Sequence, residues 1–303
     1  MYDIELFYEA KSVQDAVDAL VRIPDAIIIS GGSDVLVQVR EGRLAGAKLV
    51  SIHNIPELKG VHMEEDGTIV IGAATPFSQI TADPVIQKHM YMLGEAADTV
   101  GGPQIRNIGT VGGNVCNGVT SADTASSQWA YNSVLELTGP EGVRQVPVSE
   151  FYTGPGKTVR RRDEVLTAFR IRREDYEGYY GHYMKYGKRR AMEIATLGCA
   201  CLVKLSEDKK TLEDLRIAYG VAAPTPMRCR KAEDALRGRS LSLDTVQVLG
   251  RLVQEEVTPR DSWRASKAFR LQLVKELGMR ALAEAAVRAG GDRVYQIGGG
   301  ADA

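Results

Sequence analysis

Three glycine pairs punctuate the first half of the chain: Gly31-Gly32, Gly101-Gly102 and Gly112-Gly113, each beside apolar sequence. A Gly-Gly step lets the backbone take φ > 0 and removes the Cβ that would hold a ligand away from main-chain N–H groups. Two further clusters, Gly290-Gly291 and Gly298-Gly299-Gly300, fall in a C-terminal stretch expected to fray. The pattern constrains the fold because each pair demands a turn at a defined place.

The elements around the pairs can be read directly. Ser12 to Ile23 is expected to be a helix: Val13, Ala16, Val17 and Leu20 share a face, Ser12 caps it, and Asp15 stands where a capping box puts an acid. Ala26-Ile27-Ile28-Ile29 is a β-branched run suited to a buried strand. It stops at Ser30-Gly31-Gly32-Ser33-Asp34, with a short helix expected over Val35 to Val39 and a strand over Lys48 to Ile52. Asp66-Gly67 between two apolar runs predicts a hairpin. Helices are expected near Phe77 to Ile80 and Met92 to Val100. Gly101 to Asn114 then reads as a second glycine-turn region, Val134 to Leu137 pairs with Val143 to Val148, and Glu164 to Ile171 is a strand. The charged, Tyr-rich Arg172 to Gly181 reads as a linker. Beyond it, strands come first (Ile194 to Leu205, Leu215 to Tyr219) and helices follow (Ser242 to Val257, and Ser262 towards Ala289 with a break expected at Gly278). That order predicts an α+β module.

Composition narrows the function by exclusion. Lys+Arg number 38 against 39 Asp+Glu in 303 residues, so the electrostatic footprint of a nucleic-acid binder is missing. No apolar run is long enough to span a bilayer. The start Met1-Tyr2-Asp3-Ile4-Glu5 lacks the features of an export signal, and four Cys make no disulfide framework, so a cytoplasmic protein is expected. Cys116, Cys199, Cys201 and Cys229 have no C-x-x-C spacing and the four His form no i, i+4 pair, so no protein-held metal is expected. Both Trp are read as packing residues.

Two segments concentrate possible chemistry. Ser30 to Asp34 and Thr110 to Asn114 each join a glycine pair to a hydroxyl, offering N–H and O–H donors to a pyrophosphate. No G-x-G-x-x-G occurs, so the Rossmann route to a dinucleotide is unsupported. Asp123 could accept hydrogen bonds from cofactor hydroxyls, or cap the helix expected over Ala125 to Tyr131. Gly154-Pro155-Gly156-Lys157-Thr158 imitates the end of a P-loop, but Phe151 stands where the leading glycine is required.

These segments, with Gln104-Ile105-Arg106-Asn107, Cys116-Asn117-Gly118, Thr120 to Asp123, Gly220 to Arg228 and Trp263 to Lys267, resemble the FAD-binding subunits of molybdenum hydroxylases, the bacterial xanthine dehydrogenase type above all. The resemblance implies an α+β chain. It would comprise a two-lobed FAD-binding domain of the vanillyl-alcohol-oxidase/PCMH type over 1–175 (lobes about 1–58 and 59–175), a smaller α+β domain over 182–290, and a flexible tail over 291–303. It implies non-covalent FAD, its pyrophosphate between Ile27, Ile28, Ile29, Ser30, Gly31, Gly32, Ser33, Asp34 on one side and Thr110, Val111, Gly112, Gly113, Asn114 on the other. Val100 and Leu166 match apolar cofactor contacts, Asp123 the acid that holds cofactor hydroxyls, and Lys185 a polar contact. Arg106 and Asn107 would brace the second segment. Pro155 departs from relatives that carry a Tyr beside the flavin.

No catalytic acid–base group is implied, because the cofactor carries the chemistry. The expected partners are a molybdenum-cofactor subunit and a [2Fe–2S] subunit in a heteromeric complex, with NAD⁺ as electron acceptor. The alternatives are the same subunit in a carbon monoxide, nicotinate or aldehyde enzyme, a stand-alone FAD oxidoreductase, or a flavin-free assembly protein on the same fold.

Overall fold

In a computed structural model, which describes residues 2–189 and 191–295, the run Ile27–Ile29 becomes a strand of a three-stranded parallel sheet. It pairs with the central strand Ala47–Ser51, and Ile4–Glu9 pairs on the other side. Helix Val13–Arg22 packs on this sheet through Ala16, Val17, Ala19 and Leu20. Its cap forms as expected, Ser12 Oγ accepting from the Asp15 amide at 3.1 Å.

A five-stranded antiparallel sheet follows, in the order Val61–Met63, Ile69–Gly72, Val165–Ile171, Val134–Gly139, Gly142–Pro147. Both expected hairpins form. Val61 faces Ile71 across the Asp66-Gly67 turn, and Gly139 faces Gly142 across Pro140-Glu141. Helices Phe77–Ala82, Tyr91–Asp98 and Asp123–Ala130 bury one core with this sheet, including Ile69, Leu93, Val115 and Phe169. Gly101 to Asn114 is mostly not a turn region. It forms two short helices, Pro103–Ile108 and Val111–Cys116.

The third sheet, Tyr180–Tyr186, Leu197–Leu205, Leu212–Gly220 and Met227–Arg228, is antiparallel throughout. Helices Leu243–Glu256 and Lys267–Arg288 pack against it around Cys201, Ile217, Leu249 and Leu282. The long helix does not break at Gly278. A Cβ there would lie 2.2 Å from the Tyr219 hydroxyl, which donates to Val274 O at 2.9 Å, so the glycine makes room for a strand side chain.

Arg172 to Gly181, expected as a linker, runs between the second and third sheets and is fastened along its way. Helix Arg173–Tyr176 buries Asp175, whose carboxylate accepts from Asn132 at 2.7 Å and Arg216 at 3.2 Å. A second clasp ties the first and last parts of the chain together. Glu95 accepts from Arg288 (2.6 Å) and from the Tyr183 amide (3.1 Å), with His182 Nδ1 at 3.1 Å. Of the expected tail over 291–303, residues 296–303 lie outside the described residues, while the Tyr295 hydroxyl donates to Glu276 at 3.2 Å.

Candidate functional site

The first glycine segment sits where strand Ile27–Ile29 ends and helix Val35–Arg40 begins. Gly32 has φ +71°, a conformation that L side chains rarely adopt. Among the described residues, the amides of Gly31, Gly32, Ser33 and Asp34 donate to no protein acceptor. Successive free N–H groups around a positive φ are suited to hold anionic oxygens. Gly31 serves a different purpose. A Cβ on it would fall 1.9 Å from Ile108 O, so the chain of the second lobe crosses directly over it.

The second segment is built differently. Thr110 caps helix Val111–Cys116, its Oγ1 accepting from the Gly113 amide at 3.2 Å. Val111 donates to Thr75 O (3.1 Å), Gly112 to Ala73 O (2.8 Å) and Asn114 to Thr110 O (3.0 Å). A Cβ on Gly112 would lie 2.6 Å from Ala73 O, so this glycine serves close helix–strand packing. Gly113 is exposed, and its missing Cβ would meet only Thr110 Oγ1, at 3.1 Å. The two segments touch where the Thr110 hydroxyl donates to Ser30 Oγ at 3.4 Å.

From there a polar seam runs inward. Asn114 Oδ1 accepts from the Thr124 hydroxyl (2.7 Å) and amide (3.2 Å). Next to Thr124, Asp123 accepts from the Lys185 ammonium at 2.9 Å and the Tyr183 hydroxyl at 3.1 Å. Lys185 also donates to Thr99 O at 2.9 Å, adjacent to Val100. The helix cap is Ala122, and it makes no side-chain bond, so Asp123 does not act as the cap. Burial pushes the Asp123 carboxyl up to about 6, against the pull of Lys185 and the Tyr183 hydroxyl. The carboxylate is 7% exposed, and such a buried charge persists because it is paired.

Sequence reading misses Tyr183. It shares a strand face with Lys185, two residues on, a period that is hidden when Tyr180 is read as part of a linker. Ile27, Ile28 and Ile29 lead into the first segment as strand residues, whereas Leu166 is buried in the sheet core. Arg106 reaches Val100 O (3.3 Å) and Asp98 (3.3 Å), and so braces the stretch before the glycine pair at 101–102, while Asn107 is exposed. The P-loop imitation is a small hairpin, Tyr152–Gly154 with Lys157–Thr158, and the Gly156 amide donates to Gly118 O at 2.9 Å. Burial pushes the Cys116 thiol up to about 11, which keeps it neutral. One expectation fails outright: Trp263 is not a packing residue but is 80% exposed.

Comparison with known proteins assigns this architecture. The family described as FAD binding domain in molybdopterin dehydrogenase matches residues 2–172, and CO dehydrogenase flavoprotein C-terminal domain matches 182–285. The chain belongs to the FAD-binding subunits of molybdenum hydroxylases, and FAD is its cofactor. Within that class it is 42% identical over 291 residues to the xanthine dehydrogenase FAD-binding subunit of Escherichia coli O157:H7, covering 96% of this chain and 99% of the relative. It is 30% identical over 277 residues to the carbon monoxide dehydrogenase medium chain of Hydrogenophaga pseudoflava, covering 91% and 95%. The solved structure of carbon monoxide dehydrogenase from H. pseudoflava superposes with a TM-score of 0.89 at 29% identity, covering 95% of this chain and 99% of that one. Among the described residues, no helix is long and apolar enough to cross a membrane.

Proposed function

We propose that this chain is the electron-exit subunit of a xanthine dehydrogenase-type complex, in the cytoplasm, passing electrons from a [2Fe–2S] partner through FAD to NAD⁺. The observation that carries it is the run of four amides from Gly31 to Asp34 that have no acceptor among the described residues, facing a second segment whose Thr110 hydroxyl meets Ser30 at 3.4 Å. The amides hold the cofactor's pyrophosphate, and Ser33 adds a hydroxyl beside them. When bound, FAD supplies the conversion between one-electron carriers and a two-electron acceptor.

The protein's own groups bind and tune. Asp123 takes hydrogen bonds from cofactor hydroxyls. Lys185, held between Asp123 and Thr99 O, keeps one positive charge at the seam and stabilises negative charge developing there. Val100 supplies apolar contact beside this cation, and Leu166 supplies it from the sheet core. The lobes divide near 58 and 175, and the module over 182–290 closes the seam with Tyr183 and Lys185. Substrate choice rests with a molybdenum-cofactor subunit. The higher identity to the xanthine-type relative than to the carbon monoxide-type one supports the xanthine class.

The test is the purified full chain. Flavin absorbance released by heat as free FAD, followed by reoxidation of the reduced protein by NAD⁺, is the expected result. Flavin that stays attached after denaturation would overturn non-covalent binding. Reduced flavin that ignores NAD⁺ would overturn the acceptor.

A further inference from the structure

Helix Asp123–Ala130 carries Asp123 at its first position and is buried along its length, Trp129 alone being partly exposed. It lies between helix Tyr91–Asp98 and the strands Leu197–Leu205 and Leu212–Gly220 of the third sheet. Its middle is loosely held. Among the described residues, Ser127 Oγ, Gln128 Nε2 and Trp129 Nε1 are buried without a hydrogen-bond partner. The cap residue Ala122 makes no side-chain bond, so the cap does not fix where the first turn stands.

The grip is at the far end. The carbonyls of Ser127, Gln128 and Trp129 accept from the amides of Tyr131, Ser133 and Asn132. Among the described residues Ala130 O, the last carbonyl of the helix, has no backbone donor. Arg216, from strand Leu212–Gly220, donates to it at 3.3 Å. A cation there also matches the negative end of the helix dipole. Arg216 is buried, and its own position is fixed from several sides. It donates to Asp175 O (3.1 Å) and Oδ1 (3.2 Å) and to the Tyr179 hydroxyl (3.1 Å). Its Nε stands 3.6 Å from Asp214 Oδ2, and its guanidinium 4.3 Å from the centre of the Tyr179 ring. Two residues past the helix, Asn132 (φ +49°) donates to Asp175 at 2.7 Å and accepts from Arg228, itself paired with Glu233 at 2.6 Å. Eight residues of helix span about 12 Å, and close-packed interiors transmit strain, so a shift at Ala130 is carried to Asp123.

We infer that Arg216 is a positioning residue for the cofactor: by holding the Ala130 end of this helix, it sets where Asp123 stands at the other. The inference rests on the reading that Asp123 takes hydrogen bonds from cofactor hydroxyls, and it adds a residue one helix length away. Arg216 touches neither Asp123 nor the two glycine segments and acts only through the helix.

Arg216→Lys keeps the charge and loses the planar fork, so direct electrostatics on Asp123 stay constant while the geometry loosens. In the purified full chain without flavin, carbon-13 NMR follows the Asp123 carboxyl, assigned with Asp123→Asn. Lys185 and Tyr183 face this carboxyl, and burial holds its midpoint up at about 6 in wild type. The expected midpoint in Arg216→Lys is lower by roughly half a pH unit or more, because a displaced helix end lets water reach the carboxyl. FAD should bind roughly fivefold more weakly, and the weakening should vanish in an Asp123→Asn background. Asn132→Gly, which the positive φ tolerates, removes the neighbouring contacts and should act in the same direction. It decides the matter if Arg216→Lys does not fold. An arginine that serves stability alone would lower the urea midpoint and leave the Asp123 titration unmoved, and that result overturns the inference. So does a loss of FAD affinity that is equal with and without Asp123. If the titration moves but Asp123→Asn binds FAD as wild type does, the cofactor reading of Asp123 fails, while Arg216 remains the residue that positions it.

Discussion

Among the described residues, the chain at Gly31-Gly32 leaves four successive amides without a protein acceptor, whereas at Gly112-Gly113 the amides from Val111 to Asn114 are all satisfied within the fold. Position by position the pairs nevertheless match. Gly31 and Gly112 are both packing glycines, with backbone oxygens of Ile108 and Ala73 where a Cβ would go. Gly32 and Gly113 are the permissive members, one for its φ of +71° and one facing solvent. A glycine pair can therefore bring two chain segments together with its first residue and present backbone with its second. Only the bonding of the neighbouring amides tells which segment is free to grip a ligand.

The contrast can be broken most forcefully at the packing glycines. Gly31→Ala and Gly112→Ala should each destabilise the fold by about 3 kcal/mol or more, because backbone must move. Urea unfolding measures this. A Gly112→Ala protein of normal stability that lacks flavin would show that the second segment faces ligand after all.

The next effect belongs to Asp123, at the inner end of the second segment's contacts. Its carboxyl titrates higher in the fold than unfolded, so its contribution is full below about pH 4 and is lost as pH rises through about 6. Wild type should lose roughly 2–3 kcal/mol relative to Asp123→Asn over that interval. Unfolding midpoints of both proteins from pH 4 to 8 check it. A difference that does not change with pH would mean that Lys185 cancels the burial.

Smaller still is Gly32→Ala, which should lose about 1 kcal/mol to left-handed strain and bind FAD more weakly in a flavin titration. Last comes Gly113→Ala, expected within about 0.5 kcal/mol of wild type because alanine favours the helix it occupies. If it sheds flavin at full stability, the two segments share the cofactor more evenly than their amides imply.

Local chemistry carries the elements that sequence reading places correctly. The β-branched run of Ile27–Ile29, the Ser12 cap and the Asp66-Gly67 hairpin each follow from short-range preferences. What sequence reading leaves open or misplaces has a common cause, since the deciding partner is distant in sequence. Helix Val111–Cys116 forms despite two glycines because Thr75 and Ala73 accept its first amides. Gly278 stays helical because Tyr219 fills the space above it. Arg172 to Gly181 is fastened by Arg216, and the role of Asp123 depends on Lys185, so neither can be settled from neighbours alone. Trp263 departs from the general rule that a tryptophan packs, and no residue beside it in sequence signals the exception.

The clasp on Glu95 has a consequence for the order of biosynthesis. Arg288 lies 193 residues after the glutamate it grips, and Tyr183, held by the same carboxylate, is what meets Asp123. A chain that ends before Arg288 therefore lacks this grip on Glu95, and one that ends before Tyr183 lacks the hydroxyl that meets Asp123. Flavin loading should wait until translation has passed the last long helix.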